Sequence, residues 1–254
     1  MFLAIDIGNT EITMGIFAGE DLRATWHVST GLHRTADEYA TLLLNLIPRA
    51  LGGSHISGIA ICSVVPPLVT TFEEMCQRYL HISPLVVGAG IKTGVRIRMD
   101  NPREVGADRI VDAAAAHHLY GGPVIIADFG TATTFDVVSK DGDYMGGAIA
   151  PGISAAAETL FVRAAMLPRV EMTRPKQAIG SNTVAALQSG IIFGYVALVE
   201  GMVARIQKEI EEPAKVVATG GFSEIIAKET EVINVVNPSL TLVGLKLIYR
   251  INEG

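Results

Sequence analysis

The sequence predicts an α/β fold of two duplicated domains, each a mixed β-sheet flanked by helices. Three observations carry that prediction. Val124-Ile125-Ile126-Ala127-Asp128-Phe129-Gly130-Thr131 repeats the form of Phe2-Leu3-Ala4-Ile5-Asp6-Ile7-Gly8-Asn9, in which an apolar run leads to Asp-x-Gly and a small polar residue. The copies lie 122 residues apart in a chain of 254, the spacing of a duplicated domain rather than of a solenoid. Strand-like runs also alternate with helical spacing through both halves.

The elements follow in order. Residues 2–8 and Ile12 to Phe17 read as two strands joined by a tight turn at Gly8-Asn9, and Leu22 to Val28 as a third. From Thr35 to Ala50, apolar residues at Tyr39, Leu42, Leu43 and Leu46 have helical spacing. Thr35 and Glu38 match a capping box at its start. A buried strand spans Ile59 to Val65, then a helix runs from Leu68 to about Tyr79, and a short strand covers Leu85 to Val87. An Ala-rich helix covers Gly106 to Tyr120 and carries Asp108 near its start. Gly121-Gly122-Pro123 is the expected boundary, giving domains 1–121 and 122–254. In the second half, Val124 to Thr131, Thr133 to Val138 and Tyr144 to Ile149 read as strands. Helices follow at Ser154 to Arg163 and Ser181 to Glu211. Lys215 to Ala218 and Val232 to Val236 are the last strands. A closing helix opens at Pro238, with the first domain as one place for it to pack.

Composition narrows the function. Hydrophobic residues make up 49% and charged residues 18%, which predicts a sizeable core. The net charge of -6 argues against a nucleic-acid partner. No apolar run is long enough to span a bilayer and no signal-peptide pattern opens the chain, so a soluble, cytoplasmic protein is expected, with no membrane partner. The two cysteines, Cys62 and Cys76, form no metal or disulfide pattern, and Cys62 reads as a small core residue. There is no G-x-x-x-x-G-K-[ST] loop and no G-x-G-x-x-G after the first strand.

The repeated motif carries the chemistry. Asp6 ends an apolar strand, where a carboxylate is costly unless paired or near a metal. Gly8 permits a sharp turn, and Asn9, Thr10 and the turn amides suit phosphate oxygens. A carboxylate beside such a loop suits magnesium, held directly or through water. One copy alone also fits an ordinary hairpin. With the second copy, Asp128-Phe129-Gly130-Thr131-Ala132-Thr133-Thr134, two hairpins facing a common cleft would clamp a polyphosphate. Gly146-Gly147-Ala148-Ile149-Ala150-Pro151-Gly152 reads either as a tight turn or as a place where a substrate or partner subunit nears the backbone. Thr219-Gly220-Gly221 suits flat contact with a base or ribose. Gly106-Ala107-Asp108-Arg109 is the strongest catalytic candidate. The helix dipole stabilises a carboxylate there, and Arg109 can grip a substrate carboxylate bidentately. By itself this pattern also fits a helix start with a surface ion pair.

Together these motifs resemble type III pantothenate kinase. So do Ser63-Val64-Val65-Pro66, Asn101-Pro102-x-Glu104-Val105, Leu167-Pro168-Arg169 and Gly180-x-Asn182-Thr183-x-x-Ala186-x-x-Ser189-Gly190, in order along almost the whole chain. The resemblance implies two ribonuclease-H-like domains of the actin-like superfamily. It implies ATP-dependent phosphorylation of pantothenate to 4'-phosphopantothenate, the first step of coenzyme A synthesis, by a homodimer that needs Mg2+ and a monovalent cation, K+ or NH4+. By motif position, Asp6, Ile7, Gly8, Asn9, Thr10, Glu11, Ile12 and Thr13 would form the first phosphate loop. Thr131, Thr219, Gly220 and Gly221 would also contact ATP. Asp108 would accept the proton, and Gly106, Ala107, Asp108 and Arg109 would line the pantothenate site. Asp128 would hold the monovalent cation, and Thr183 would reach pantothenate in the neighbouring subunit. Met99 stands where the family commonly has a substrate-touching tyrosine, so a hydroxyl hydrogen bond is lost there. The alternative is a nucleotide-binding accessory regulator of the same fold without kinase activity. A regulator has no need for an acceptor-site carboxylate.

Overall fold

The computed structural model describes residues 1–51, 55–164 and 166–253, and for residues 48–51 the backbone alone. Its elements are β1 (Phe2–Ile7), β2 (Glu11–Ala18), β3 (Asp21–Ser29), α1 (Ala36–Leu51), β4 (Gly58–Ser63), α2 (Pro66–Met75), β5 (Leu85–Val86), β6 (Arg96–Ile97), α3 (Ala107–Tyr120), β7 (Val124–Phe129), β8 (Ala132–Val138), β9 (Asp143–Pro151), α4 (Ile153–Arg163), α5 (Thr183–Glu209), β10 (Lys215–Gly220), α6 (Ser223–Ala227), β11 (Val235–Val236) and α7 (Leu240–Glu253).

The duplication is visible in the sheets. The first has strand order β3-β2-β1-β4-β5, and the second repeats it as β9-β8-β7-β10-β11, with β6 added beyond β9. In each, the opening strand pairs antiparallel with its hairpin partner and parallel with the strand on its other side. The hairpins differ by one residue. Ile7 pairs with Ile12, but Phe129, its counterpart, pairs with Thr133, so the second turn is one residue shorter.

The chain divides into two compact units. One holds Met1–Arg96, Asp100–Ala115 and the segment from Leu240; the other holds Ile97–Met99 and Ala116–Ser239. The division falls inside α3, upstream of the boundary expected at Gly121–Pro123, because one continuous helix carries the chain across. The final helix counts with the first unit.

In the first unit, strand alternation splits the core. Leu3, Ile5 and Ile7 pack with Tyr39 and Leu43 of α1 and Leu68 and Phe72 of α2. Ala4, Ala60 and Cys62 face the other way, against Val111 and Ala114 of α3 and Leu242, Leu245 and Ile248 of α7. β1 and β4 are therefore covered on both faces, which is why they read as unbroken apolar runs. The capping box at α1 is formed: Thr35 N donates to Glu38 Oε2 at 2.8 Å, and Glu38 N to Thr35 Oγ1 at 3.3 Å. α2 starts at Pro66, two residues before the expected Leu68, because proline suits the first helical turn.

In the second unit, Ile125, Ala127, Phe129 and Phe135 pack against α4 and α5. α5 is long and apolar enough to cross a bilayer by length and composition alone. Its Ile191, Tyr195, Val196, Val199 and Val203 instead join this core.

Candidate active site

The alternation that buries Ile5 and Ile7 under α1 and α2 turns Asp6 toward the α3 side of the sheet. Asp6 is half-buried and lies beside Cys62 in the parallel β1–β4 register. The Cys62 thiol donates a hydrogen bond to Asp6 Oδ1 at 3.1 Å. Burial raises the Asp6 carboxyl to about 7, against the lowering effect of the thiol; the charges of Asp108 and Glu11 raise it further.

Asp108 sits in the first turn of α3, where its Oδ1 accepts from Arg109 N at 2.8 Å. Gly106 precedes the helix, and its carbonyl accepts from Ile110 N at 3.2 Å. A Cβ at Gly106 would meet Asp108 Oδ1 inside the 3.0 Å that real Cβ atoms essentially never cross. The Asp108 carboxyl thus lies in the space a side chain at Gly106 would fill. Asp112, one turn further along α3, is buried. With burial as the largest cause, the charges of Asp6, Asp108 and Asp112 push the Cys62 thiol well above its ordinary range. Asp6, Asp108, Asp112 and Cys62 are therefore one electrostatic neighbourhood. Sequence reasoning missed Asp112; a carboxylate amid Val111 and the alanines of a buried helix segment was the available signal.

The Gly8–Thr10 turn is braced from β3's end. Thr30 Oγ1 donates to the Gly8 carbonyl at 2.7 Å, and Thr30 N to the Thr10 carbonyl at 3.0 Å. Gly8 N donates to the Glu11 carbonyl at 3.0 Å, and a Cβ on Gly8 would lie 2.8 Å from that oxygen. Asn9, Thr10 and Glu11 are exposed. Of the expected loop residues, Ile7 and Ile12 put their side chains wholly in the core, so only their backbone can meet a ligand. Glu11 and Thr13 share a partner that sequence reasoning missed: His27 Nδ1 lies 2.9 Å from Glu11 Oε1 and 3.3 Å from Thr13 Oγ1.

In the second unit, Asp128 is half-buried at the end of β7 and Thr131 is exposed in the turn. Thr219 pairs with Asp128 and is buried; Gly220 follows with φ +84. A Cβ at Gly220 would stand 2.5 Å from Asp128 Oδ1 and 2.7 Å from the Phe129 backbone. Gly221 is exposed with open space where its Cβ would go. The Gly146–Gly152 run admits the chain's own neighbours. Met99 Sδ lies against Gly146, the Phe135 carbonyl against Gly147 and the Thr131 carbonyl against Gly152. Thr183 is exposed at the start of α5, where Asn182 Oδ1 caps the helix from Ala185 N at 2.9 Å.

Among the described residues, no three His, Cys, Asp or Glu side chains converge closely enough to hold a metal. Magnesium keeps waters and phosphate oxygens and takes few protein carboxylates. Asp6 fits such an ion, since a cation would offset the cost of its burial and its two like-charged neighbours. Asp128 also fits a cation, with its carboxylate drawn against the glycine end of β10.

Residues 2–205 match the family described as type III pantothenate kinase. A type III pantothenate kinase from Dehalococcoides mccartyi is 55% identical over 99% of this chain and 96% of its own length. A Geobacillus kaustophilus protein of the same name is 52% identical over 99% of this chain and 98% of its own. Among solved structures, a conserved putative Baf family transcriptional activator from Campylobacter jejuni aligns with TM-score 0.63 at 18% identity, covering 99% of this chain and 98% of its own. At that identity the likeness shows the fold alone.

Proposed function

Because the chain belongs to the type III pantothenate kinase family, and so phosphorylates pantothenate with ATP at the start of coenzyme A synthesis, we propose that Asp108 accepts the proton of the acceptor hydroxyl. The supporting observation is its place: the first turn of α3, held by Arg109 N, beside Asp6. Arg109 orients the substrate carboxylate with its planar fork of donors. The Asp6–Thr13 turn and Thr131, with Thr219 to Gly221, bind the nucleotide. Met99 contacts pantothenate through apolar atoms. Bound magnesium beside Asp6, and K+ or NH4+ beside Asp128, would stabilise charge on the transferring phosphoryl group, the dominant demand of this reaction. A reaction that draws on ATP fits a cytoplasmic enzyme.

The cation assignment is tested with purified protein, ATP, Mg2+ and pantothenate. Phosphopantothenate formation should rise several-fold when K+ or NH4+ replaces a bulky organic cation, and Asp128→Asn should remove that difference. Undiminished stimulation in the variant would take Asp128 out of the role.

The homodimer is supported by α5. Thr183, Ala186, Gly190, Gly194, Ala197, Gly201 and Ala204 are all exposed and recur at intervals of three and four, so they line one face of the helix. Each glycine costs about 1 kcal/mol against alanine in a helix interior. Among the described residues, and leaving aside the helix's own backbone, nothing lies within 4 Å of a Cβ at Gly190, Gly194 or Gly201, so packing among those residues does not need them. Close approach by the same helix of a second copy does, and Thr183 heads the stripe. Gly194→Leu should shift sedimentation equilibrium toward monomer without loss of helix content. A variant that stays dimeric would remove this face from the interface.

A further inference from the structure

We infer that Cys62 is a positioning residue for Asp6, holding the carboxylate plane in the orientation that the magnesium side of the reaction requires. This rests on the reading of Asp6 given above and deepens it. The sequence alone made Cys62 a small core residue, and its burial at 0% exposure agrees with that. Packing does not account for its directional contact. Cys62 and Asp6 are register partners on adjacent parallel strands, and Sγ donates to Oδ1 at 3.1 Å.

The surroundings make that donor hard to replace. Cys62 packs among Ala4, Ala60, Val111 and Ala114. A carboxylate oxygen that loses its donor in an apolar setting is left with a large desolvation cost. Anchoring one oxygen fixes the carboxylate plane and thereby the direction in which the other is presented. A thiol is a weak donor, so it orients Asp6 without quenching its attraction for a cation.

The test compares wild type, Cys62→Ala, Cys62→Val, Cys62→Ser and Asp6→Asn. Two quantities are read: Mn2+ affinity in the presence of ADP, by electron paramagnetic resonance, and the Mg2+ half-saturation of turnover. Loss of the donor in Cys62→Ala should weaken both by about tenfold, the scale of one hydrogen bond to a charged group. kcat at saturating Mg2+ should move far less. Cys62→Val repeats the loss without leaving a cavity, and Cys62→Ser restores a donor and both constants. A purely structural thiol would lower the melting temperature in Ala and leave the metal constants unmoved, which overturns the inference. If Asp6→Asn weakens Mn2+ binding but Cys62→Ala and Cys62→Val do not, only the role of Cys62 fails. If Asp6→Asn also leaves it unchanged, the reading of Asp6 fails first.

Discussion

Asp108→Asn should lower kcat by about 10²- to 10⁴-fold, the usual worth of a general base, while ATP affinity stays near wild type. The substitution keeps the shape and keeps an oxygen to accept from Arg109 N, as Oδ1 does at 2.8 Å. What it removes is the ability to take a proton. It also removes a negative charge that raises the Asp6 carboxyl, so Asp6 is left more readily ionised. Titration calorimetry with ATP and a rapid-quench measurement of the first turnover separate binding from chemistry. A first turnover within about threefold of wild type would take proton transfer away from Asp108, since even modest base catalysis exceeds that.

The parts of this enzyme that were legible in its sequence are those governed by local rules. The two Asp-x-Gly hairpins announce themselves through apolar runs that end at a glycine turn. The Thr35–Glu38 capping box is a four-residue pattern, and both its hydrogen bonds form. What stayed hidden depends on tertiary neighbours. β6 is two residues long and has no period to detect; it exists because β9 offers it an edge. The glycines at 147 and 152 suggested an approaching ligand or subunit, but the Phe135 and Thr131 carbonyls occupy those approaches. Thr30 lies far from Gly8 in sequence yet braces its turn, and His27 reaches Glu11 only because β2 and β3 pair. Cys62 is the sharpest case. An apolar strand signals its burial, but nothing in one sequence says that its register partner is a carboxylate.

The two units each set a glycine against a carboxylate to which a role is proposed above, and that parallel yields the second large effect. Gly106 leaves room for Asp108 Oδ1, as Gly220 leaves room for Asp128 Oδ1. The two positions differ in what else a methyl group would meet. At Gly220 it would strike the Phe129 backbone as well, in a left-handed conformation, so a substitution there threatens the fold. At Gly106 the close atom is the Asp108 oxygen, and the next neighbour, Val64 Cγ1, is an ordinary 3.6 Å away. Gly106→Ala should therefore fold with nearly unchanged melting temperature and displace one carboxyl group. A shift of about 1 Å at a reacting group can cost about 10²-fold, so kcat should fall by about 10- to 100-fold with the KM for ATP little changed. Gly106→Ala combined with Asp108→Asn should be scarcely slower than Asp108→Asn alone, because both changes act through the same proton transfer. Fully additive losses would mean that Gly106 serves turnover by some route other than the seat it leaves for that carboxylate.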